Sequence, residues 1–392
     1  MTPDPHRTSD DTPCAPGAPV ASQRPVVATP REKLGGVRKI AVLRGGGIGD
    51  LLFALPAIAA LSAAYPEAEV TLLGTSAARM LEGRAGAPHR FAELPVATGV
   101  HEPEGAVVDP EAVRRFAKTH RAEAYDLAAQ LHGGGRFSNP FLADLGARCT
   151  IGTRTDDALE LDRSLPYVYF QHEVMRWLEV VALAGAVPVD LEPRLPIDPA
   201  DVARGAALLG DCPGPTAVFH PGATDPRRRW PVERFGEVAA DLSRSGAQIV
   251  VIGDASERRL AEEFSSAAVA AGAPVAPRNL AGRLQFGDLP GVLAAADLCV
   301  ANDSGPRHLA QAVGTATASV FWCGNLLNAG PMGRGEHRVQ LSWTTHCPVC
   351  GRESTQVGWT APRCAHDVSF VGDVGVEAVL ADARSLLALR AR

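Results

Sequence analysis

The chain has 392 residues, too many for one ordinary core, so two domains are expected. Its net charge of −6, with no basic block, argues against nucleic acid as the main partner. Eight cysteines spread along such a chain do not resemble a disulfide scaffold, and a reducing cytoplasm is expected. The N-terminus lacks a charged start followed by an apolar core, so no signal peptide is expected. The longest apolar run, Leu51 to Ala64, is broken by Pro56 and Ser62 and is too short to span a bilayer.

Residues 1–35 are rich in Pro, Asp, Ser, Thr and Ala and read as a disordered tail. Order begins near Val37. A β-prone run, Ile40 to Leu43, meets four glycines within five positions (Gly45, Gly46, Gly47, Gly49), then Asp50, then an Ala/Leu-rich helix to Ala64. Pro56 should kink that helix or shift its hydrogen bonding. Glu69 to Gly74 reads as a strand and turn, residues 77–100 are weakly patterned, and Glu111 to His120 reads as a helix. Tyr125 to Leu131 is a strand running into a second glycine turn, His132-Gly133-Gly134-Gly135-Arg136. A helix from Phe137 to Leu145, a short strand before Gly152 and an amphipathic helix from His172 to Leu183 follow. The Pro-punctuated stretch from Asp190 to Pro196 marks a domain boundary.

The second half alternates more cleanly. Strands are expected at Thr216 to His220, Gln248 to Ile252, Leu298 to Ala301 and Ala316 to Phe321. Helices are expected from Pro231, from Glu257 to about Ala271, from Asp288 through Ala296, from Pro306 to Gly314, and from Val374 to Leu389. Strand–helix alternation with glycine at strand ends predicts parallel sheets in both halves. The domains are placed at 36–195 and 196–373, with a final helix, 374–392, expected to pack back on the first domain.

Several stretches can carry chemistry. A strand, glycine turn and helix in that order put backbone N–H groups and a helix dipole where open α/β sheets bind ligands. Gly45 to Asp50 lacks the lysine of a nucleotide-phosphate loop. Asp50 or Leu52 stands where a dinucleotide fingerprint needs its last glycine. The turn then reads either as a simple βα turn capped by Asp50 or as an active site in which Asp50 acts. His220-Pro221-Gly222-Ala223 with Arg227-Arg228-Arg229-Trp230-Pro231 places three guanidinium groups between a strand end and a helix start. That suits phosphate oxygens; a solvated basic loop is the alternative. In Asn302-Asp303-Ser304-Gly305-Pro306-x-His308, Ser304 and Gly305 can offer N–H groups to an anion. Asp303 suits a sugar hydroxyl or a structural bond, and His308 reads as a buried partner or a donor contact. Glu257 can bind a ribose diol or simply complement a helix dipole. His132, Arg136 and Asn139 are acceptor candidates or loop structure. Cys347-x-x-Cys350 with Cys364-x-His366 is compatible with a structural zinc.

Taken in order, Arg44-x3-Ile48-Gly49-Asp50-x5-Pro56, His220-Pro221-Gly222-Ala223 with Arg228-Arg229-Trp230-Pro231, and Asn302-Asp303-Ser304-Gly305-Pro306-x-His308-x-Ala310 resemble the heptosyltransferase-like glycosyltransferases of family 9. The match spans about residues 38 to 380. The resemblance implies an α/β fold of GT-B type, two Rossmann-like domains facing a central cleft, and an inverting, metal-independent sugar transfer. It implies Asp50 as general base, Arg228 at the donor diphosphate, Asp303, Ser304 and Gly305 at the donor, and Glu257 at the ribose. Arginine stands at 228 where the family often has lysine.

The expected donor side is Gly222, Ala223, Arg228, Arg229, Glu257, Asp303, Ser304, Gly305 and His308. The expected acceptor side is Gly47, Gly49, His132, Arg136 and Asn139. No cofactor is expected beyond the nucleotide-diphosphate sugar, apart from the structural zinc. The acceptor would be a glycan, glycolipid or small sugar. A monomer or weak oligomer is expected, in the cytoplasm or peripheral to the inner face of the membrane. Two other functions are compatible with these residues, a nucleotide-sugar epimerase or hydrolase of the same architecture and a non-catalytic nucleotide-sugar-binding protein.

Overall fold

The computed structural model describes residues 28–84, 86, 88–103, 105–355 and 363–390. The expected tail lies outside them up to residue 27. Its last stretch is anchored instead: Arg31 N–H donates to the Ala182 carbonyl and Leu34 N–H to the Tyr65 hydroxyl. Leu34 also packs on the core, which is why order starts before Val37.

The first sheet is built from β1 (Lys39–Arg44), β2 (Glu69–Gly74), β3 (Arg90–Glu93), β4 (Leu127–Gln130), β5 (Thr150–Arg154) and β6 (Arg163–Pro166), in the order β3-β2-β1-β4-β5-β6. The second is built from β7 (Thr216–His220), β8 (Gln248–Val251), β9 (Arg278–Asn279), β10 (Leu298–Asn302), β11 (Ala316–Trp322) and β12 (His337–Ser342), in the order β12-β11-β10-β7-β8-β9. Every pairing is parallel. Val42 lies between Leu72 and Ala129, and Val300 between Phe219 and Ala318.

Counted from its own first strand, each sheet runs 3-2-1-4-5-6, the doubly wound Rossmann order. The order reverses between β1 and β4 in one sheet and between β7 and β10 in the other. Ligands bind at the carboxyl ends of the strands flanking such a reversal. All four strand ends carry motifs singled out above.

Helix α1 (Ile48–Ala64) is apolar nearly all round because it is covered on two sides. It packs on α4 (Glu173–Ala182) of its own unit and on α9 (Gly305–Ala312) of the other. The helix runs uninterrupted through Pro56. One buried apolar cluster therefore joins Leu52, Leu61 and Trp177 of the first unit to Val218, Leu293 and Leu309 of the second. The two units form the GT-B arrangement.

The last helix, α11 (Val376–Arg390), departs from expectation. It packs on β11 and on the helix Val232–Arg244 within the second unit. Val379, Leu380, Ala383 and Leu386 join Phe235 and Phe264 in that unit's own core, so the apolar face that was expected to reach the first domain is already covered. Among the described residues no helix is long and apolar enough to cross a membrane.

Candidate functional site

The ends of β1, β7 and β10 meet at one cavity of 760 Å³. Gly47, Gly49, Asp50 and Phe53 line it from the first unit; Arg228, Glu257, Asp303, Ser304 and His308 line it from the second.

On the first side, the strand β1 ends in Arg44, only 3% exposed. Arg44 donates through Nη2 to Asp50 Oδ1 (2.9 Å) and Glu173 Oε2 (3.1 Å), through Nε to the Asp50 carbonyl (2.7 Å), and through Nη1 to the Leu131 carbonyl (2.6 Å). Its guanidinium lies 5.0 Å over the Trp177 ring. Asp50 Oδ2 accepts from the Gly47 N–H at 2.9 Å. The carboxylate is thus held at both oxygens while its side chain stays half exposed to the cleft. A carboxylate can accept about four hydrogen bonds, so acceptor capacity remains for a substrate hydroxyl.

The glycines of this turn do different jobs. Gly46 has φ +89°, and a Cβ there would stand 2.5 Å from Asp50 Oδ2. A Cβ on Gly49 would stand 3.1 Å from the His308 ring, so this glycine lets the two units meet.

On the second side, Asp303 is a buried hub. Its Oδ1 accepts from His308 Nε2 (3.0 Å), and its Oδ2 from Arg228 Nη1 (3.0 Å) and Asn325 Nδ2 (2.6 Å). Burial alone would push this carboxyl up, but His308, Arg228 and Asn325 outweigh it and hold Asp303 well below the usual carboxylate range. With Nε2–H donating to Asp303, His308 Nδ1 is left to accept from Arg307 Nη1 at 3.2 Å. Burial pushes His308 down, against the opposing pull of Asp303. Behind it Arg307 is fully buried, bonded to Gln311 and Ser319 and stacked on Phe321; burial pushes its guanidinium down to about 10.

Strand β7 ends in His220, whose Nε2 meets Glu257 Oε2 at 3.2 Å and whose Nδ1 meets Ser304 Oγ at 3.0 Å. Glu257 also accepts from the Asp254 N–H. Burial pushes the Glu257 carboxyl up, and His220 with the Asp254 N–H more than reverses that. Asn302 rivets the loops together, accepting from Trp230 N–H and donating to the Pro221 carbonyl.

The chain's sequence matches the family model of glycosyltransferase family 9 (heptosyltransferase) over residues 113–357. The chain belongs to glycosyltransferase family 9.

Among relatives, it is 27% identical over 303 residues to lipopolysaccharide heptosyltransferase 2 of Salmonella typhimurium, covering 72% of this chain and 82% of that protein. It is 27% identical over 336 residues to lipopolysaccharide heptosyltransferase 1 of Pseudomonas aeruginosa, covering 80% and 86%. The solved structure of E. coli ADP-heptose LPS heptosyltransferase II has the same fold, with TM-score 0.70, 19% identity, and coverage of 91% of this chain and 100% of that one.

Within this glycosyltransferase, some expected contacts lie elsewhere. Of the three arginines, only Arg228 lines the cleft. Arg227 is buried against Asp225 and Phe370, and Arg229 Nε donates to the Ala223 carbonyl, so it shapes the loop. Ala223 lines the cleft, whereas Gly222 makes room for Glu257: a Cβ there would stand 1.8 Å from Oε1. Gly305 lines the cleft as expected and also faces α1, where a Cβ would stand 3.4 Å from that of Ile48.

On the acceptor side, Asn139 is fully buried and donates to the Thr153 and Leu159 carbonyls, which makes it a loop latch. Arg136 is about two-thirds exposed, paired with Asp157 and stacked on Phe137, away from the cleft. His132 lines a second cavity of 400 Å³ behind the glycine turn, together with Gly46, Thr75 and Glu102. Its Nε2 meets the Gly99 carbonyl at 3.2 Å, and burial pushes it down.

Arg44, Glu173 and Asn325 are site residues that pattern reading left without a role. Arg44 was visible as the last residue of an apolar strand, where an unpaired charge is costly. Glu173 and Asn325 carry no local signal.

Proposed function

We propose that the chain transfers a heptose or related sugar from a nucleotide-diphosphate donor to a glycan, glycolipid or small sugar acceptor, with inversion at the anomeric carbon. The names of its relatives, lipopolysaccharide heptosyltransferases, support the sugar and a cell-envelope acceptor. The observation that carries the reading is the opposition of Asp50, on one unit, to Arg228 and the α9 N-terminus, on the other, across one cavity.

In this reading the acceptor hydroxyl sits against the free lone pairs of Asp50. As its oxygen attacks the anomeric carbon, the proton passes to the carboxylate. The bond from that carbon to the diphosphate breaks, and its electron pair leaves on the diphosphate. Arg228 and the N–H groups opening α9 face that charge. Glu257, oriented by His220, holds the ribose. Arg44 and Gly47 N–H fix the base so that little reorganisation is needed during transfer. His132 and the cavity behind the glycine turn extend the acceptor side.

The test is Asp50→Asn, which keeps size and one acceptor oxygen. Turnover should fall by about 10²–10⁴-fold with donor affinity unchanged. Product stereochemistry read by NMR should be opposite to that of the donor. Turnover within a few-fold of the parent, in a folded protein, refutes Asp50 as base; a retained configuration refutes inversion.

A further inference from the structure

Outside the cleft, Cys347, Cys350, Cys364 and His366 bring one ligand atom each to within 4.8 Å of one another. We infer that these four side chains form a tetrahedral zinc site whose role is to brace the arginine loop, residues 225–229.

The donor set is three thiols and one imidazole, the soft set that selects tetrahedral zinc. Thiolates at about 2.3 Å from zinc lie roughly 3.8 Å apart, so the cluster needs about 1 Å of closure at most. The local backbone is built for it. Gly351, at φ +70°, lets its N–H turn back to the Cys347 carbonyl at 2.8 Å, and Cys347 N–H donates to the Arg352 carbonyl. That tight turn sets the first two thiols on one side. None of the three thiols is in a disulfide. A second observation is independent of the cysteines: His366 Nδ1 is buried and has no hydrogen-bond partner among the described residues. A buried ring nitrogen without a partner is costly, and a metal ion removes that cost.

The segment following His366 runs directly onto the arginine loop. Ser369 Oγ donates to the Arg229 carbonyl (2.6 Å), Phe370 N–H to the Arg227 carbonyl (2.7 Å), and Arg227 stacks on Phe370. Arg363 pairs with Asp225 at 3.9 Å. The metal would tie this segment to the turn that follows β12, fixing both sides of the loop from which Arg228 reaches the cleft.

The experiment uses the full chain. Elemental analysis of protein made in zinc-supplemented medium should give about one zinc per chain. After chelation, Co²⁺ titration should saturate at one equivalent with the visible bands of a tetrahedral thiolate centre. Cys350→Ser, at the exposed ligand, should weaken metal retention by at least about tenfold, and His366→Ala should change the cobalt spectrum. Hydrogen exchange should speed up at residues 225–229 and 369–371 in the zinc-free chain and slow again on reloading. Absence of stoichiometric zinc and of cobalt bands overturns the site. Full occupancy by iron overturns the choice of zinc. Saturating cobalt bands with unchanged exchange at 225–229 overturn the bracing role.

Discussion

Arg44→Met is the sharpest test of how the first unit holds its carboxylate. Methionine approximates the length of the arginine stem and can keep the contact with Trp177, but it donates nothing. Three consequences follow from the contacts. The Leu131 carbonyl loses its donor in a buried place, which costs about 1–3 kcal/mol. Glu173 loses one of two guanidinium partners but keeps Arg176, so its share falls below the roughly 3–5 kcal/mol of a fully broken buried pair. Asp50 loses the bond at Oδ1, but its side chain is half exposed and water replaces much of that bond, so it adds little to stability.

The total is roughly 2–4 kcal/mol, a large part of the 5–15 kcal/mol that typically holds a native protein. Urea unfolding at neutral pH should read it directly. Catalysis should suffer separately, because Asp50 keeps only the Gly47 N–H: kcat should fall by about 10–100-fold. Donor affinity should hold to within about twofold, since Arg44 does not line the cleft. A variant that unfolds within about 0.5 kcal/mol of the parent and turns over within about twofold would refute the argument that a buried guanidinium positions the base.

Arg228→Ala should weaken binding of a nucleoside diphosphate by about 10–100-fold in calorimetry, because one charge-assisted contact is removed; an unchanged dissociation constant removes Arg228 from the donor site. Asn139→Ala should lower stability by about 1–3 kcal/mol by leaving the Thr153 and Leu159 carbonyls unpaired, with acceptor KM unchanged; a raised KM at parental stability would return Asn139 to the acceptor site. Burial, with Arg307 nearby, pushes His337 down to about 4. The unfolded chain protonates this histidine near its ordinary value of about 6.5 while the native protein does not, so stability falls as pH drops from there toward 4, by at most about 1.4 kcal/mol per pH unit for one proton. His337→Gln should flatten the slope of Tm against pH in that window; an identical slope would contradict the assignment.

The eight inner strands were legible, and the four that were not, β3, β6, β9 and β12, are the outer strands of the two sheets. An inner parallel strand is buried on both faces and reads as an unbroken apolar run, as in Ile40 to Leu43 or Leu298 to Ala301. An edge strand such as β3, Arg-Phe-Ala-Glu, is half solvated and carries no such run. The site followed the same division. Gly45 to Asp50, Arg228 and Asp303 stand at inner-strand ends or next to them, where spacing and residue type coincide. Asn139 and Arg229 misled because a polar side chain in a glycine or arginine loop serves backbone carbonyls as readily as substrates. Glu173 and Asn325 come from other segments, and only the fold brings them to Asp50 and Asp303. The destination of α11 was likewise invisible, because an apolar stripe does not specify the surface that covers it.

The seam between α1 and α9 makes the two units poor modules. Gly49 leaves room for the His308 ring and Gly305 for Ile48, and Leu52 and Leu309 belong to a single apolar cluster. A chain cut between 190 and 196 would turn that cluster out to water on both fragments. Chimaeras that exchange one half for another to change donor or acceptor would inherit a mismatched seam unless both helices travel together. Co-substitution at 48, 49, 305 and 308 is therefore the first requirement for recombining the halves of this enzyme.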